Sequence, residues 1–256
     1  MLPVRVIPSL LIKNGGLVKT TKFRNPVYIG DPINAVRIFN DKEVNELVLL
    51  DVDATRKDRK PDFELLSRIN TEAFMPLGYG GGVRDVATLE KILSIGYEKI
   101  IINNHALMHP EFIRQAAEVC GSQSVVVCID VKKTVLGKYS VFNYKTGRAT
   151  KTDPVDYALD MEKMGAGEII LYSIDREGTF QGYDIGLLKQ VCSSLDIPVV
   201  ALGGAGSVSD FVDAVQLGGA SGVSAGSYFV FHGKHRAVLI TYPDEKELAL
   251  AFKIGH

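Results

Sequence analysis

Eight short apolar runs, each long enough for one β-strand, are the feature of this sequence that most constrains its fold. They lie at residues 4–11, 46–52, 73–79, 99–103, 124–130, 168–173, 199–202 and 222–225. Amphipathic segments lie between them, at residues 62–68, 86–95, 110–120, 154–164, 185–195 and 208–217. Alternating strands and helices predict right-handed crossovers and a parallel sheet.

Chain length and loop lengths make the prediction more specific. The 256 residues match the usual size of a (β/α)8 barrel, the TIM barrel. No Ser/Pro-rich linker interrupts the pattern, so we predict a single domain over residues 1–256. The longest loops are residues 13–31 and 132–152, and the second alternates like a small hairpin. We expect both to cover the ligand site, as long loops after barrel strands usually do.

The two halves of the chain resemble each other. The motif around Asp51 recurs around Asp175, 124 residues later, and the glycine turn at Gly81 recurs at Gly204, 123 residues later. The first apolar run pairs in the same way with the run that ends at Asp130. Such a half-barrel internal repeat predicts two four-stranded halves that close on each other.

Charge and hydropathy exclude several classes of function. The formal net charge of -1 gives no basis for general binding to nucleic acid or to anionic membranes. No run of 18 apolar residues occurs, so we expect no membrane span. Residues 1–5 lead into a strand-like run without the pattern of a signal peptide. We therefore expect a cytoplasmic protein.

Cysteines and histidines indicate no metal site. Cys120, Cys128 and Cys192 are odd in number and unevenly spaced, which is typical of reduced thiols rather than of a disulfide frame. Two pairs of histidines have helical spacing, namely His105 with His109 and His232 with His235. No carboxylate or cysteine completes either ligand set. We predict neither a metal nor a cofactor.

Two glycine-rich turns are the clearest candidates for ligand binding. Gly81 and Gly82 in one half, and Gly203 and Gly204 in the other, each follow a strand and precede a helix. Glycine lets a phosphate approach bare N–H groups, and a helix N-terminus adds positive potential. The glycines could instead make only tight turns. Their symmetric positions favour phosphate binding, with further candidates at Lys19, Asn104, Ser173, Gly226 and Ser227.

Three aspartates at predicted strand ends are candidates for chemistry. Asp130 ends a buried strand, where an unpaired carboxylate is costly. We predict that Asp130 is a general acid/base, with a structural hydrogen bond as the alternative. Asp51 and Asp175 occupy symmetric positions, where they could hold ligand hydroxyls or cap the helices that follow.

Four charged residues of alternating sign lie near strand starts, at the opposite end of the predicted barrel. They are Arg5, Glu46, Lys99 and Glu168. We expect them to form a ring of salt bridges that closes the barrel floor. A charged ring around a central opening could also gate a small polar molecule.

The chain resembles the cyclase subunit of imidazole glycerol phosphate synthase, from histidine biosynthesis, over nearly its whole length. The resemblance is carried by the opening Arg5-Val6-Ile7-Pro8 and by the segments 30–32, 50–54, 80–84, 121–126, 165–169, 174–179 and 203–207. It implies a barrel that binds a bisphosphate, with one phosphate at each half of the rim. It also implies a heterodimer, in which ammonia from a glutaminase on the floor passes a gate formed by Arg5, Glu46, Lys99 and Glu168.

The sequence departs from this family at several positions. Asp130 matches the second of two catalytic aspartates, but Leu11 stands in place of the first and Leu202 in place of a usual serine. A leucine cannot replace a general acid/base that contributes roughly 10²–10⁴-fold in rate. Residues 231–240 also depart from the usual ending. These departures resemble a divergent paralogue found with surface-polysaccharide genes.

Three functions therefore stay open. In the paralogue, the barrel and its glutaminase supply ammonia to a third protein that amidates a nucleotide sugar. A second function is that of a true cyclase, a lyase that makes imidazole glycerol phosphate with Asp130 as its acid/base. A third is a non-catalytic subunit that regulates its glutaminase when a phosphorylated ligand fills the rim.

Overall fold

Eight parallel strands form a closed barrel in a computed structural model that describes residues 4–254. The strands are β1 (Arg5–Lys13), β2 (Leu47–Asp51), β3 (Leu77–Gly80), β4 (Lys99–Ile102), β5 (Val125–Lys133), β6 (Glu168–Ser173), β7 (Val199–Leu202) and β8 (Gly222–Ala225). Each strand pairs with the next, and β8 pairs with β1, where Arg5 lies beside Gly222. The predicted (β/α)8 barrel is confirmed. Residues 1–3 and 255–256, which include the start of the segment assessed for a signal peptide and both ends of the predicted domain, lie outside the described residues.

Within residues 4–254, eight α-helices of eight or more residues connect or follow the strands. They are α1 (Pro32–Asp41), α2 (Phe63–Asn70), α3 (Val86–Ile95), α4 (Glu111–Cys120), α5 (Pro154–Lys163), α6 (Ile185–Cys192), α7 (Val208–Gln216) and α8 (Glu245–Ile254). Shorter helices span Val52–Arg56, Asn104–Met108 and Ser227–Val230, and a 3-10 turn spans Ser122–Ser124. In residues 4–254 the helices are too short or too polar to cross a bilayer.

Several boundaries differ from the sequence-based expectation. Strand β3 begins at Leu77 rather than at residue 73, because Pro76 has no N–H to donate to a strand ladder. Helix α1 was not expected, although the N-cap Asp31 and Pro32 at the first turn are helix start signals. Asp31 is also the last residue of the predicted long loop, residues 13–31.

The two long loops are both β-hairpins. Strands Gly16–Thr21 and Arg24–Gly30 extend antiparallel from β1, so residues 13–31 are more ordered than a loop. Strand β5 continues to Lys133 and pairs with Tyr139–Asn143, which pairs with Arg148–Ala149. The hairpin pattern of residues 132–152 is therefore confirmed. A third small hairpin joins Phe231–His232 to Ala237–Val238.

Strand alternation separates the buried side chains into two groups. Val6, Leu10 and Leu49 point outward and pack with the helices. Nine inward side chains form the barrel interior, namely Ile7, Val48, Ile101, Val126, Cys128, Ile170, Tyr172, Val200 and Leu202. Because the eight barrel strands run parallel, the charged residues at strand starts and the polar residues at strand ends lie at opposite ends of this apolar interior.

We expect Ile170→Ala to destabilise the barrel strongly. Ile170 is 3% exposed in the interior cluster, and truncating a buried isoleucine costs about 2–5 kcal/mol. The control is Leu136→Ala on the second hairpin, where Leu136 is 87% exposed and the change should stay within about 0.5 kcal/mol. Urea unfolding of both variants measures the difference. Equal costs would contradict the packed interior.

Candidate functional site

The C-terminal ends of the strands surround a cavity of about 520 Å³. The two long hairpins contribute to its wall through Phe23 from the first and Tyr144 and Lys145 from the second. Five predicted site residues also line it, namely Asp51, Gly81, Gly82, Asn104 and Asp130. Most of the site residues predicted in the first half of the chain therefore line the same cavity, together with Asp130 from the second half.

Asp130 is a buried carboxyl group with an altered acidity. It is 3% exposed at the cavity wall. Burial raises the pKa of Asp130 to about 7, although hydrogen bonds from Asn103 and Cys128 oppose the shift. The Cys128 sulfur lies 3.9 Å from Asp130 Oδ1. A carboxyl that titrates near neutral pH can accept or donate a proton under physiological conditions. Leu11 lines the same cavity.

The first glycine turn has a backbone that other residues would not tolerate. Gly81 has a φ of +128°, and a Cβ there would lie 2.5 Å from the Asp51 carbonyl oxygen. At the outer edge, Arg84 Nη1 and Lys145 Nζ pair with the Asp58 carboxylate at 2.9 and 2.8 Å. Two cations thus lie beside a turn whose N–H groups can bind an anion.

The second glycine turn lines a much smaller cavity of about 20 Å³. Its wall includes the predicted residues Lys19, Gly203, Gly204, Gly226 and Ser227. The buried Lys19 ammonium donates to the Ser9 carbonyl. Burial lowers the pKa of Lys19 to about 8, and the charge of Glu177 opposes that shift. Lys19 is therefore the cationic side chain in the wall of this cavity, and its ammonium group already donates a hydrogen bond to a backbone carbonyl.

The symmetric aspartates have different environments. Asp51 Oδ1 accepts hydrogen bonds from the N–H groups of Asp53 and Ala54, both at 3.0 Å, and so caps the helix Val52–Arg56. Burial raises the pKa of Asp51. Asp175 accepts from Lys133 N at 2.8 Å. Neither Asp175 nor Ser173 is in the wall of either rim cavity, because Ser173 faces away from the interior and Asp175 lies in the loop beyond β6.

The four charged residues near the strand starts form a ring of salt bridges at the barrel floor. Arg5 pairs with Glu46 at 2.8 Å and also with Glu168. Lys99 Nζ pairs with the same two carboxylates at 2.9 and 3.1 Å. Each charge thus contacts two of opposite sign. The apolar interior lies between this ring and the rim.

Sequence reasoning missed the aromatic side chains of the rim. Tyr172 and Phe23 pack edge to face with ring centroids 4.9 Å apart, and Tyr144 lies 5.7 Å from Phe23. Tyr172 follows Glu168 and Ile170 at a period of two along β6, so strand alternation alone could have indicated its inward position. Tyr144 belongs to the alternating pattern of the second long loop, whereas Phe23 carried no comparable signal.

The histidines have separate environments. The rings of His105 and His109 are tilted by 40° with centroids 4.8 Å apart, and both residues line the larger rim cavity, where burial lowers the pKa of His105. His232 lines a third cavity beside the C-terminal hairpin. Among residues 4–254, no three side chains of histidine, cysteine, aspartate or glutamate are grouped to hold a metal ion.

Fold and rim together define a (β/α)8 barrel with two related glycine turns on one face and a charged ring on the other. The model of the family described as "Histidine biosynthesis protein" matches residues 5–236. The chain belongs to that family.

Three relatives cover almost the whole chain. A protein of Pseudomonas aeruginosa, provisionally named imidazole glycerol phosphate synthase subunit hisF2, is 52% identical, and the match covers 95% of this chain and 97% of that protein. A protein of Leptospira interrogans, provisionally named imidazole glycerol phosphate synthase subunit HisF, is 48% identical, and the match covers 98% of this chain and 100% of that protein. A protein of Vibrio vulnificus, provisionally named imidazole glycerol phosphate synthase subunit hisF3, is 44% identical, and the match covers 99% of this chain and 98% of that protein.

We expect Asp130→Asn to change how stability depends on pH. An unfolded aspartate has a pKa of about 4, whereas burial raises the pKa of Asp130 to about 7. As pH rises between these values the unfolded state loses its proton first, so the folded state loses stability. The amide removes this loss. The stability of the variant relative to wild type should therefore rise between pH 4 and pH 8, by at most roughly 4 kcal/mol.

Denaturant unfolding at the two pH values measures this difference. Asp213→Asn is the control, because Asp213 is exposed on α7, and its relative stability should change little over the same range. If Asp130→Asn behaves like this control, Asp130 ionises in the folded protein as an ordinary carboxyl group does.

Proposed function

We propose that this chain is the ammonia-using subunit of a glutamine-dependent complex, and that a glutaminase docks on its floor. The names of the relatives, which describe subunits of imidazole glycerol phosphate synthase, support this assignment. The observation that carries it is the ring of Arg5, Glu46, Lys99 and Glu168 below an apolar interior. In this proposal, ammonia enters through the ring and leaves at the rim.

The apolar interior favours neutral ammonia over the ammonium ion. Moving an unpaired ion into an apolar environment is far more costly than moving a small neutral molecule. The interior between ring and rim includes Ile7, Val48, Val126, Ile170 and Val200. The ring itself is balanced, with two cations and two carboxylates, and both carboxylates keep Arg5 as a partner when Lys99 moves away. Lys99 is the smaller cation and contacts both carboxylates, which makes it the gating residue in this proposal.

The acceptor of the ammonia is, in our proposal, a nucleotide sugar amidated by a third protein. Leu11 supports this choice, because it lines the rim cavity with Asp130 and cannot transfer a proton. Cyclisation in the family that this chain resembles uses a carboxylate from each half. The alternative is a true cyclase, and the observation in its favour is that Asp130 titrates near neutral pH.

We expect Lys99→Ala to uncouple ammonia transfer. In the complete complex with glutamine labelled at its amide nitrogen, the labelled fraction that reaches the acceptor should fall severalfold, while the label released into solution rises. Added ammonium salt should still support product formation, because ammonia can then reach the rim from solution. Lys91→Ala, on the exposed face of α3, is the matched control. Unchanged transfer in Lys99→Ala would overturn the conduit.

A second experiment separates the conduit from the cyclase. We expect the purified chain to show no turnover with ammonium salt and the ribulosyl formimino precursor, since loss of one acid/base typically lowers the rate by about 10²–10⁴-fold. Turnover that disappears in Asp130→Asn would instead establish the cyclase. The measurement is formation of imidazole glycerol phosphate, followed by mass spectrometry.

A further inference from the structure

A third cavity lies beside the C-terminal hairpin, residues 231–238. Its volume is about 660 Å³, which is in the range of small-molecule sites. Its wall joins the loop after β6 at Phe180, the short helix Ser227–Val230 at Tyr228 and the segment before α8 at Tyr242. None of its wall residues lines either of the two rim cavities. It is therefore a separate concave site.

The wall of this cavity combines aromatic rings with cationic side chains. Its rings are those of Phe180, Tyr228, Phe231 and Tyr242. The hairpin adds the cations Lys234 and Arg236. Among residues 4–254, Glu247 is the only carboxylate in this wall, and neither Lys234 nor Arg236 forms an ion pair. The cavity thus offers positive charge beside apolar, planar surfaces.

The side chains of Arg236 and Phe180 are held against each other. The guanidinium carbon of Arg236 lies 5.0 Å from the centre of the Phe180 ring, and Arg236 Nη2 donates to the Gly178 carbonyl at 3.3 Å. Within the described part of the chain, Arg236 makes no other side-chain hydrogen bond, so further N–H groups of the guanidinium can bind an anion. Phe180 and Arg236 both have left-handed backbones, with φ of +59° and +50°. Strained conformations of this kind cluster at ligand sites.

The far wall of the cavity is fixed by contacts to the barrel. Thr241 N donates to the Phe229 carbonyl of the short helix at 2.8 Å. Tyr242 Oη donates to the Val6 carbonyl of β1 at 2.8 Å, and the Tyr242 ring stacks on Phe229 with centroids 5.4 Å apart. The segment that completes the cavity is therefore tied to the barrel, and the cavity is a built part of the fold.

An anion that also carries a planar ring fits this wall best. Aromatic side chains bind flat rings by stacking and by edge contacts, and arginine pairs with phosphate oxygens through two parallel hydrogen bonds. An apolar ligand would leave Lys234 and Arg236 without partners. A small inorganic anion would make no use of the rings. A nucleotide satisfies both parts of the wall, because its base can face the rings while its phosphates face the cations.

We propose that the third cavity binds a nucleoside diphosphate. The base packs on the aromatic rings, and the diphosphate pairs with Arg236 and Lys234. This site goes beyond the proposed function and does not rest on it, since neither the charged ring of the floor nor the wall of a rim cavity contributes a residue to it.

Calorimetry on the full chain tests the ligand class. The probes are ADP, GDP, CDP and UDP, with inorganic diphosphate and the matching nucleosides as the two halves of the ligand. We expect at least one nucleoside diphosphate to bind about tenfold or more tightly than either of its halves, because each half lacks one of the two kinds of contact. Inorganic diphosphate that binds as tightly as every nucleotide would overturn the proposal. Absence of saturable nucleotide binding at millimolar concentration would also overturn it.

Variants of the hairpin test where the nucleotide binds. Arg236→Ala removes the guanidinium, and we expect the affinity for the nucleotide to fall by about tenfold. Arg148→Ala, at an exposed arginine on the second long hairpin, is the matched control and should bind as the wild type does. Unchanged affinity in Arg236→Ala would mean that the nucleotide binds elsewhere and would overturn the proposal. If Arg236→Ala does not fold, Lys234→Ala decides in the same way.

Discussion

Closure of the sheet between β8 and β1 is the constraint on which the rest of this structure depends. The two strands pair from Arg5 beside Gly222 to Pro8 beside Ala225, and Ser224 Oγ donates to the Ile7 carbonyl at 2.8 Å. Once the sheet has no free edges, every second side chain must point into the barrel. Closure thereby stacks a charged floor, an apolar interior and a polar rim along one axis.

Burial has opposite consequences for the charges at the two ends of this axis. The floor carboxylates Glu46 and Glu168 are buried, but each pairs with Arg5 and Lys99. Pairing offsets the cost of desolvation. Asp130 is buried beside the uncharged groups of Asn103 and Cys128, and burial raises its pKa. Burial thus leaves the carboxylates of the floor dependent on their cationic partners, whereas it raises the pKa of the Asp130 carboxyl, which has no such partner among its hydrogen bonds.

The two halves share a backbone but not a site. Both have a strand, a glycine turn and a helix at corresponding positions, and both turns use positive φ at Gly81 and Gly204. The side chains around them break the symmetry. The first half opens into a cavity of about 520 Å³, whereas the second half lines one of about 20 Å³ whose wall includes Lys19. A repeated fold therefore carries two rim cavities of unequal size.

The sequence by itself determined the eight strands, six of the eight helices, the repeat and the position of the charged ring, because each follows from local periodicity or from distance to a strand start. It also predicted that Asp130 and the glycine turns lie at the C-terminal ends of strands, and there they line the rim cavities. Tertiary structure alone decided that Leu11 and Tyr172 line the same cavities, that Phe23 packs on Tyr172 and that Asp175 stays off the cavity wall. Those contacts join strands and hairpins far apart in the chain, and only closure of the barrel fixes the distances between them.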